Sequence, residues 1–272
     1  MEQKVITPYD RVLTARKKNR PLITDYIEAL FDDFIEMKGD RLSGEDESIY
    51  GGIAMFLGAP VTVIGHRKGK TTEDSIKYNF GMTSPEGYRK ALRLMQQAEK
   101  FGRPIITFID TPGAYPGLEA EENGQGNAIA TNLAKMSALK VPVIAIVTGE
   151  GSSGGALAIG VANSVLMLEN AVYSILSPEG YATILWKDSS RSAEACDMMK
   201  LTAQDLKQFN VIDEIIPEPI GGAHQNPKAV FKTVDRYIKK ELEKYLKMSP
   251  DDVSKHRYKK FRNIDAEYIN IL

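Results

Sequence analysis

The sequence predicts an α/β fold built on a largely parallel sheet. Three near-continuous apolar runs carry that expectation, each with a proline at its start. A glycine-bearing loop follows each run, and a helical pattern follows each loop. Continuous apolar character is what a strand buried on both faces needs, and a leading proline removes no ladder donor. Strand, loop and helix in alternation place parallel strands side by side.

Taken in order, residues 1 to about 48 read as a charged helical arm. Ile23, Ile27, Leu30, Phe31 and Phe34 have helical spacing, with Thr24-Asp25 as the cap. Gly39-Asp40-Arg41 then ends the helix, and 43–48 is expected as an exposed loop. Residues 49–227 form the core. Its strands are expected at 59–65, 103–110 and 141–147, and its helices at 85–101, 123–138 and 154–162. Residues 228–272 form a tail. Val230, Val234, Tyr237, Ile238, Leu242, Tyr245 and Leu246 predict a helix that packs on the core, followed by a basic patch at 255–262. Ser84-Pro85-Glu86-Gly87-Tyr88 recurs as Ser177-Pro178-Glu179-Gly180-Tyr181, two helix starts with serine as cap and proline at the first position.

Composition narrows the function. Lys plus Arg is 35 and Asp plus Glu is 36, a net charge of −1, without the basic excess of a general nucleic-acid binder. Cys196 is the one cysteine, which excludes an internal disulfide and a Cys/His zinc site within the chain, and it reads as an inert thiol. No signal peptide is visible after Met1, and the longest apolar stretches, near 141–147 and 156–162, are far shorter than the roughly 20 residues of a membrane span. A cytoplasmic location is expected.

The chemistry points to loops rather than to reactive side chains. Gly149-Glu150-Gly151-Ser152-Ser153-Gly154-Gly155 lies between a buried strand and an apolar helix. Glycines allow close approach of backbone to ligand, and the helix start offers unpaired N–H groups, so the loop suits an anion or a developing oxyanion. It also fits the Gly-x-Ser-x-Gly elbow with Ser153 as nucleophile, a triad needing His66, His224 or His256 as base. A tight turn without a ligand is the bland alternative. Thr111-Pro112-Gly113-Ala114-Tyr115-Pro116-Gly117 is a second such loop, at a strand's C-terminal end where ligands of open sheets bind. Glu119, Glu121 and Glu122 after it read as a solvated helix start. Gly65-His66-Arg67-Lys68-Gly69-Lys70 could meet a phosphate or carboxylate, although a solvated loop is the expectation.

These stretches together resemble the carboxyltransferase alpha-subunit family of bacterial acetyl-CoA carboxylases. The likeness runs through 108–117, Gly149 to Gly160, Ser177-Pro178-Glu179-Gly180, Ile216-Pro217-Glu218-Pro219 and Gly221-Gly222-Ala223-His224, with Asn79-Phe80-Gly81-Met82 and 85–93 also fitting. It covers nearly the whole chain in order. The resemblance implies one domain over 1–272 with a crotonase-like β-β-α spiral. It implies transfer of a carboxyl group from carboxybiotin, carried on a biotin carboxyl carrier protein, to acetyl-CoA, giving malonyl-CoA for fatty-acid synthesis. It further implies an α2β2 assembly with a beta subunit that carries the zinc and holds acetyl-CoA, and biotin carboxylase in the wider complex. Backbone N–H groups of Gly154 and Gly155 then match the biotin oxyanion hole, with Gly113, Ala114, Gly151, Ser152 and Ser153 lining the substrate. No side-chain base is required. A self-sufficient crotonase-like hydratase or hydrolase of acyl thioesters is the alternative.

Overall fold

The computed structural model describes residues 6–264. Its centre is an eight-stranded sheet in the order β1-β2-β3-β4-β5-β6-β8, with β7 paired to β5 off that path. The strands are β1 Asp32–Glu36, β2 Ile49–Phe56, β3 Ala59–His66, β4 Ile105–Thr111, β5 Val143–Ser152, β6 Ser164–Leu168, β7 Val172–Ser174 and β8 Glu214–Ile216. The helices are α1 Pro8–Ala15, α2 Ile23–Leu30, α3 Thr72–Lys77, α4 Pro85–Lys100, α5 Leu118–Glu122, α6 Gln125–Ala138, α7 Ser153–Leu157, α8 Pro178–Trp186, α9 Ser192–Met199, α10 Ala203–Gln208, α11 Pro227–Tyr245 and α12 Pro250–Asn263.

The three strands expected from the apolar runs are β3, β4 and β5, and they pair in parallel as expected. Their prolines serve the ladder by accepting rather than donating. Pro104 O takes Thr62 N at 2.9 Å, and Pro142 O takes Ile105 N at 2.9 Å. The first half of β5 pairs β6 and its second half pairs β7. One long strand therefore serves two neighbours. β2 joins β3 as an antiparallel hairpin through Leu57-Gly58, both at positive φ (51° and 77°).

Several expectations are corrected. The helix of the N-terminal arm stops at Leu30, and Phe34 lies in β1, packed on Tyr50 at 5.0 Å between ring centroids. Phe34 joins the core from a strand, which the 3.6-residue spacing alone could not show. The helix cap is at Leu22, whose N–H donates to Asp25 at 2.9 Å, not at Thr24-Asp25. Gly39-Asp40-Arg41 therefore ends no helix; Asp40 instead accepts Leu42, Ser43 and Gly44 N–H groups. The 43–48 segment is exposed only in its first part. Asp46 and Ser48 are buried; Asp46 accepts the N–H of Ser84 at 2.6 Å, and the Ser84 hydroxyl makes no cap bond to α4. Ser177, by contrast, does cap α8 through Gly180 N. The helix expected at 154–162 is the single turn of α7. Glu119, Glu121 and Glu122 do lie exposed on the short α5.

The tail is two helices. α11 buries Val230, Val234, Ile238 and Leu242, as the pattern predicts. The expected basic patch at 255–262 is in part interior. Arg257 is fully buried on α12 and donates to the carbonyls of Met136 (2.8 Å), Leu139 (2.7 Å) and Val141 (2.9 Å) and to Asn163 Oδ1 (2.5 Å). It thus satisfies carbonyls at and just beyond the end of α6, where no intrahelical donor exists. Lys260 pairs with Asp213. Sequence charge could not distinguish a cation that caps a helix inside the fold from one that meets water.

Arg257→Met leaves those buried carbonyls unpaired and should cost about 3 kcal/mol of stability. Urea denaturation reads it directly. A loss well under 1 kcal/mol would show that the carbonyls find other donors.

Candidate active site

The two glycine loops meet at the C-terminal ends of β4 and β5. Thr111 of β4 stands beside Gly151 of β5. Beyond that pair the chains come closer still. A Cβ on Gly155 would sit 2.7 Å from Ala114 N, 2.7 Å from Gly113 C and 3.0 Å from Tyr88 Oη. Only glycine allows this approach. Gly113 has φ +146°, a conformation that side chains avoid, and Thr111 Oγ1 clamps it by accepting its N–H (3.1 Å) and donating to its carbonyl (2.7 Å). Gln125 Nε2 holds the same loop through the carbonyls of Thr83 (2.8 Å) and Tyr115 (2.9 Å). Asn132 Nδ2 ties α4 to the residues after α7 through Tyr88 O (3.0 Å) and Ala158 O (3.1 Å).

The geometry therefore brings Gly113, Ala114, Gly154 and Gly155 together, as the loop reading required. Gly155 is buried, while Gly154 and Ala114 are half-buried. The first N–H groups of α7 have no intrahelical acceptor. Ala114 N has no acceptor among the described residues, although its neighbours Gly113 N and Tyr115 N do. The Ala114 N–H and the first turn of α7 therefore lie close together. Ser152 is buried with its Oγ unpartnered, and Gly151 packs on the Tyr173 ring.

Around this point lies an ionic frame that sequence reasoning missed in part. Lys68 Nζ meets Asp110 at 2.6 Å and Glu150 at 3.7 Å. Asp110 also accepts Glu150 N at 3.0 Å, and Gly149 lacks a side chain because a Cβ would collide with that carboxylate. Burial opposes the charge on Lys68, but Asp110 and then Glu150 outweigh it and raise its pKa. Arg16 joins Glu150 and Glu179, each at 2.7 Å. Arg20 forks onto both oxygens of Glu218 at 2.9 Å and reaches Thr148 O at 2.7 Å. Arg16 and Arg20 lie in the N-terminal arm, far away in sequence, and carried no motif to mark them. The solvated loop expected at 65–70 is corrected as well. His66 and Arg67 are buried, Arg67 lying over the Tyr78 ring at 4.2 Å, and Lys70 pairs with Asp25.

No histidine serves Ser153. Its φ of +56° gives the sharp strand-to-helix turn of a nucleophile elbow, but no histidine bonds it among the described residues. Desolvation holds His66 at a pKa of about 4, against a smaller pull from Asp110. His224 neighbours Lys17 at 3.4 Å, and His256 packs on the Tyr245 ring. Ser153 instead lines an apolar cavity with Leu157, Tyr173 and Ile175. Cys196 is buried, and burial raises its thiol pKa to about 11, as an inert thiol requires. Among the described residues, no cluster of His, Cys, Asp or Glu could hold a metal ion, and no helix is long and apolar enough to cross a membrane.

A family profile described as acetyl co-enzyme A carboxylase carboxyltransferase-like matches residues 2–265. The chain belongs to this family. An acetyl-coenzyme A carboxylase carboxyl transferase subunit alpha of Anoxybacillus flavithermus is 58% identical over 259 residues, spanning 95% of this chain and 80% of that one. The subunit of the same name from Clostridium acetobutylicum is 56% identical, spanning 95% and 94%. Among solved structures, transcarboxylase 12S superposes with a TM-score of 0.69 at 19% identity, covering 90% of this chain and 46% of that one. A Pseudomonas malonate decarboxylase hetero-tetramer gives 0.63 at 16%, covering 79% and 85%. These structural likenesses show that the chain shares its fold with those proteins.

Two outcomes follow from the site. Gly155→Val should unfold or badly loosen the protein, a loss of about 3 kcal/mol, because the side chain would meet backbone rather than space. The 2.7 Å contacts are with the backbone of Gly113 and Ala114, which has no rotamer by which to give way. The second concerns acid. Unfolded His66 takes a proton near 6.5 and the folded one only near 4. The unfolded state therefore binds more protons between those values, and stability falls as pH drops through that window by about 3 kcal/mol. Denaturation of His66→Asn between pH 7 and 4 should show a shallower decline; an identical slope would assign the loss elsewhere.

Proposed function

We propose that the amide cluster is this subunit's contribution to a carboxyltransferase that moves a carboxyl group from carboxybiotin to acetyl-CoA, forming malonyl-CoA. One observation supports the reading: Gly155, in the first turn of α7, packs against the Gly113-Ala114 backbone where β4 and β5 end. Carboxybiotin, borne on a carrier protein, supplies the activated carboxyl group. The donor set fits it, since neutral amides aimed at an oxygen stabilise charge that appears only as the reaction proceeds. Gly154 and Gly155 N–H groups would hold that oxygen, with Gly113, Ala114, Gly151, Ser152 and Ser153 lining the site. Each donor of this kind is worth about 2.7–4 kcal/mol of barrier.

The remaining residues keep the cradle still. Thr111, Gln125 and Asn132 fix the loops by hydrogen bonds. Asp110 and Lys68 hold the end of β5. His66 is buried, and desolvation holds its pKa near 4, which leaves it a weak base. The second half of the site, including acetyl-CoA binding, then belongs to a beta subunit in an α2β2 assembly that also carries the zinc. Biotin carboxylase completes the working complex in the cytoplasm.

The test is an assay in the reverse direction, with malonyl-CoA and free biotin. Activity should need both this chain and a beta subunit; strong turnover by the chain alone would overturn the shared site. Ser153→Ala should keep kcat within about threefold, whereas a serine nucleophile would lose nearly all of it. Gly154→Val crowds the cradle and should lower kcat by about 100-fold. Because Gly154 is half-buried and a Cβ there lies 3.4 Å from Ile129, this variant should remain folded, which its melting temperature checks.

A further inference from the structure

The outward side of α11 carries charge that the fold does not use. Val230, Val234, Ile238 and Leu242 turn one side of this 19-residue helix into the core. The other side presents Lys228, Lys232, Arg236, Lys239, Lys240 and Lys244, all exposed, with Glu243 as the one exposed carboxylate on the helix. Asp235 is half-buried and Glu241 buried. The whole chain, by comparison, balances 35 cations with 36 anions, so the excess is local.

Two of these cations have carboxylates nearby. Lys240 meets Glu214 at 2.9 Å, and Lys244 lies 3.8 Å from Glu241. Lys228, Lys232, Arg236 and Lys239 form no ion pair among the described residues. Lys228, Lys232 and Arg236 stand four residues apart, and Lys240 and Lys244 continue that spacing. Residues so spaced are neighbours on a helix surface, and like charges there destabilise it. A row that weakens its own helix and pairs with nothing inside the fold points to an anion outside it.

The shape of the row narrows the kind of anion. Lys228, Lys232, Arg236 and Lys239 share one side of the helix and extend along about 17 Å of it. That is a line of charge on a convex surface. The rings of this helix are covered: Phe231 and Tyr237 are half-buried, and Arg236 and Lys240 lie over the Tyr237 ring at 5.8 and 5.9 Å. A single strand of nucleic acid would find no ring here on which to stack. Leu246, 58% exposed just past the helix end, adds an apolar side chain beside the row. Lysine-rich helix faces flanked by exposed apolar residues suit the surface of an anionic bilayer.

We propose that α11 rests on an anionic lipid bilayer, with Lys228, Lys232, Arg236 and Lys239 against the headgroup phosphates. The contact is peripheral, since no helix among the described residues is long and apolar enough to cross a membrane. Each basic residue near such a surface adds an attraction that salt screens. The contact requires no carboxyl transfer, so it stands or falls apart from the proposed reaction.

Vesicle flotation of the whole chain tests it, with phosphatidylcholine alone and with an equimolar mixture of phosphatidylcholine and phosphatidylglycerol. The chain should float with the anionic vesicles, stay behind with the neutral ones, and be released by high salt. K228E/K232E/K239E should weaken the binding by about tenfold or more. K228Q/K232Q/K239Q removes the charges without reversing them and should weaken it to a smaller extent. K255E/K259E/R262E on α12 changes the net charge as much as the first triple and should bind like the parent. No flotation with anionic vesicles, equal flotation with both kinds, or equal losses in the two glutamate triples overturns the proposal. So does an oligothymidylate that binds the parent more tightly than the vesicles and is lost in K228E/K232E/K239E, which would make the row a nucleic-acid contact. All six positions are exposed, and unchanged melting temperatures confirm that the variants are folded.

Discussion

The close approach of two main chains at the ends of β4 and β5 governs this molecule. Parallel pairing brings Thr111 beside Gly151, and the loops beyond then touch through backbone alone at Gly155, Gly113 and Ala114. Everything nearby accommodates that contact. Gly149 gives way to the Asp110 carboxylate, Gly151 to the Tyr173 ring, and Gly113 takes a φ of +146°. A backbone donor can be aimed only by placing the backbone itself. The price is intolerance to any Cβ at Gly155.

Charges inside the fold tie its segments together. Arg20 with Glu218 joins the N-terminal arm to the stretch after β8 and to the β5 carbonyl of Thr148. Arg16 joins the same arm to Glu150 and Glu179. Arg257 joins the last helix to the end of α6. Each is a forked donor that satisfies several acceptors at once, for which a guanidinium suits better than an ammonium. These ties fasten the arm and the tail to the core, so the strand ends carrying the amides are braced from both sides.

Ser153 has no histidine partner among the described residues. His66 is the histidine nearest the loops in the fold, and burial keeps it neutral well below pH 7. The elbow-like turn at Ser153 is then a consequence of threading a long strand into a single helical turn. Its φ of +56° sets the direction in which α7 leaves β5.

Much of this was legible in the residues. Apolar runs led by proline determined β3, β4 and β5, since strands buried on two faces have few other compositions. Glycine clusters marked the loops, because close backbone contact tolerates nothing else. The periodicity of α11 was equally plain. Short strands such as β1, β7 and β8, at 5, 3 and 3 residues, were not legible, for their hydrogen bonds come from neighbours distant in the chain. Phe34 shows the limit well: its spacing suits a helix, yet its partner on β2 made it a strand residue. The burial of Arg257, His66 and Arg67 was decided only in three dimensions. A charged side chain reads as solvated until its acceptors are known, and those acceptors are carbonyls and rings that other segments bring to it.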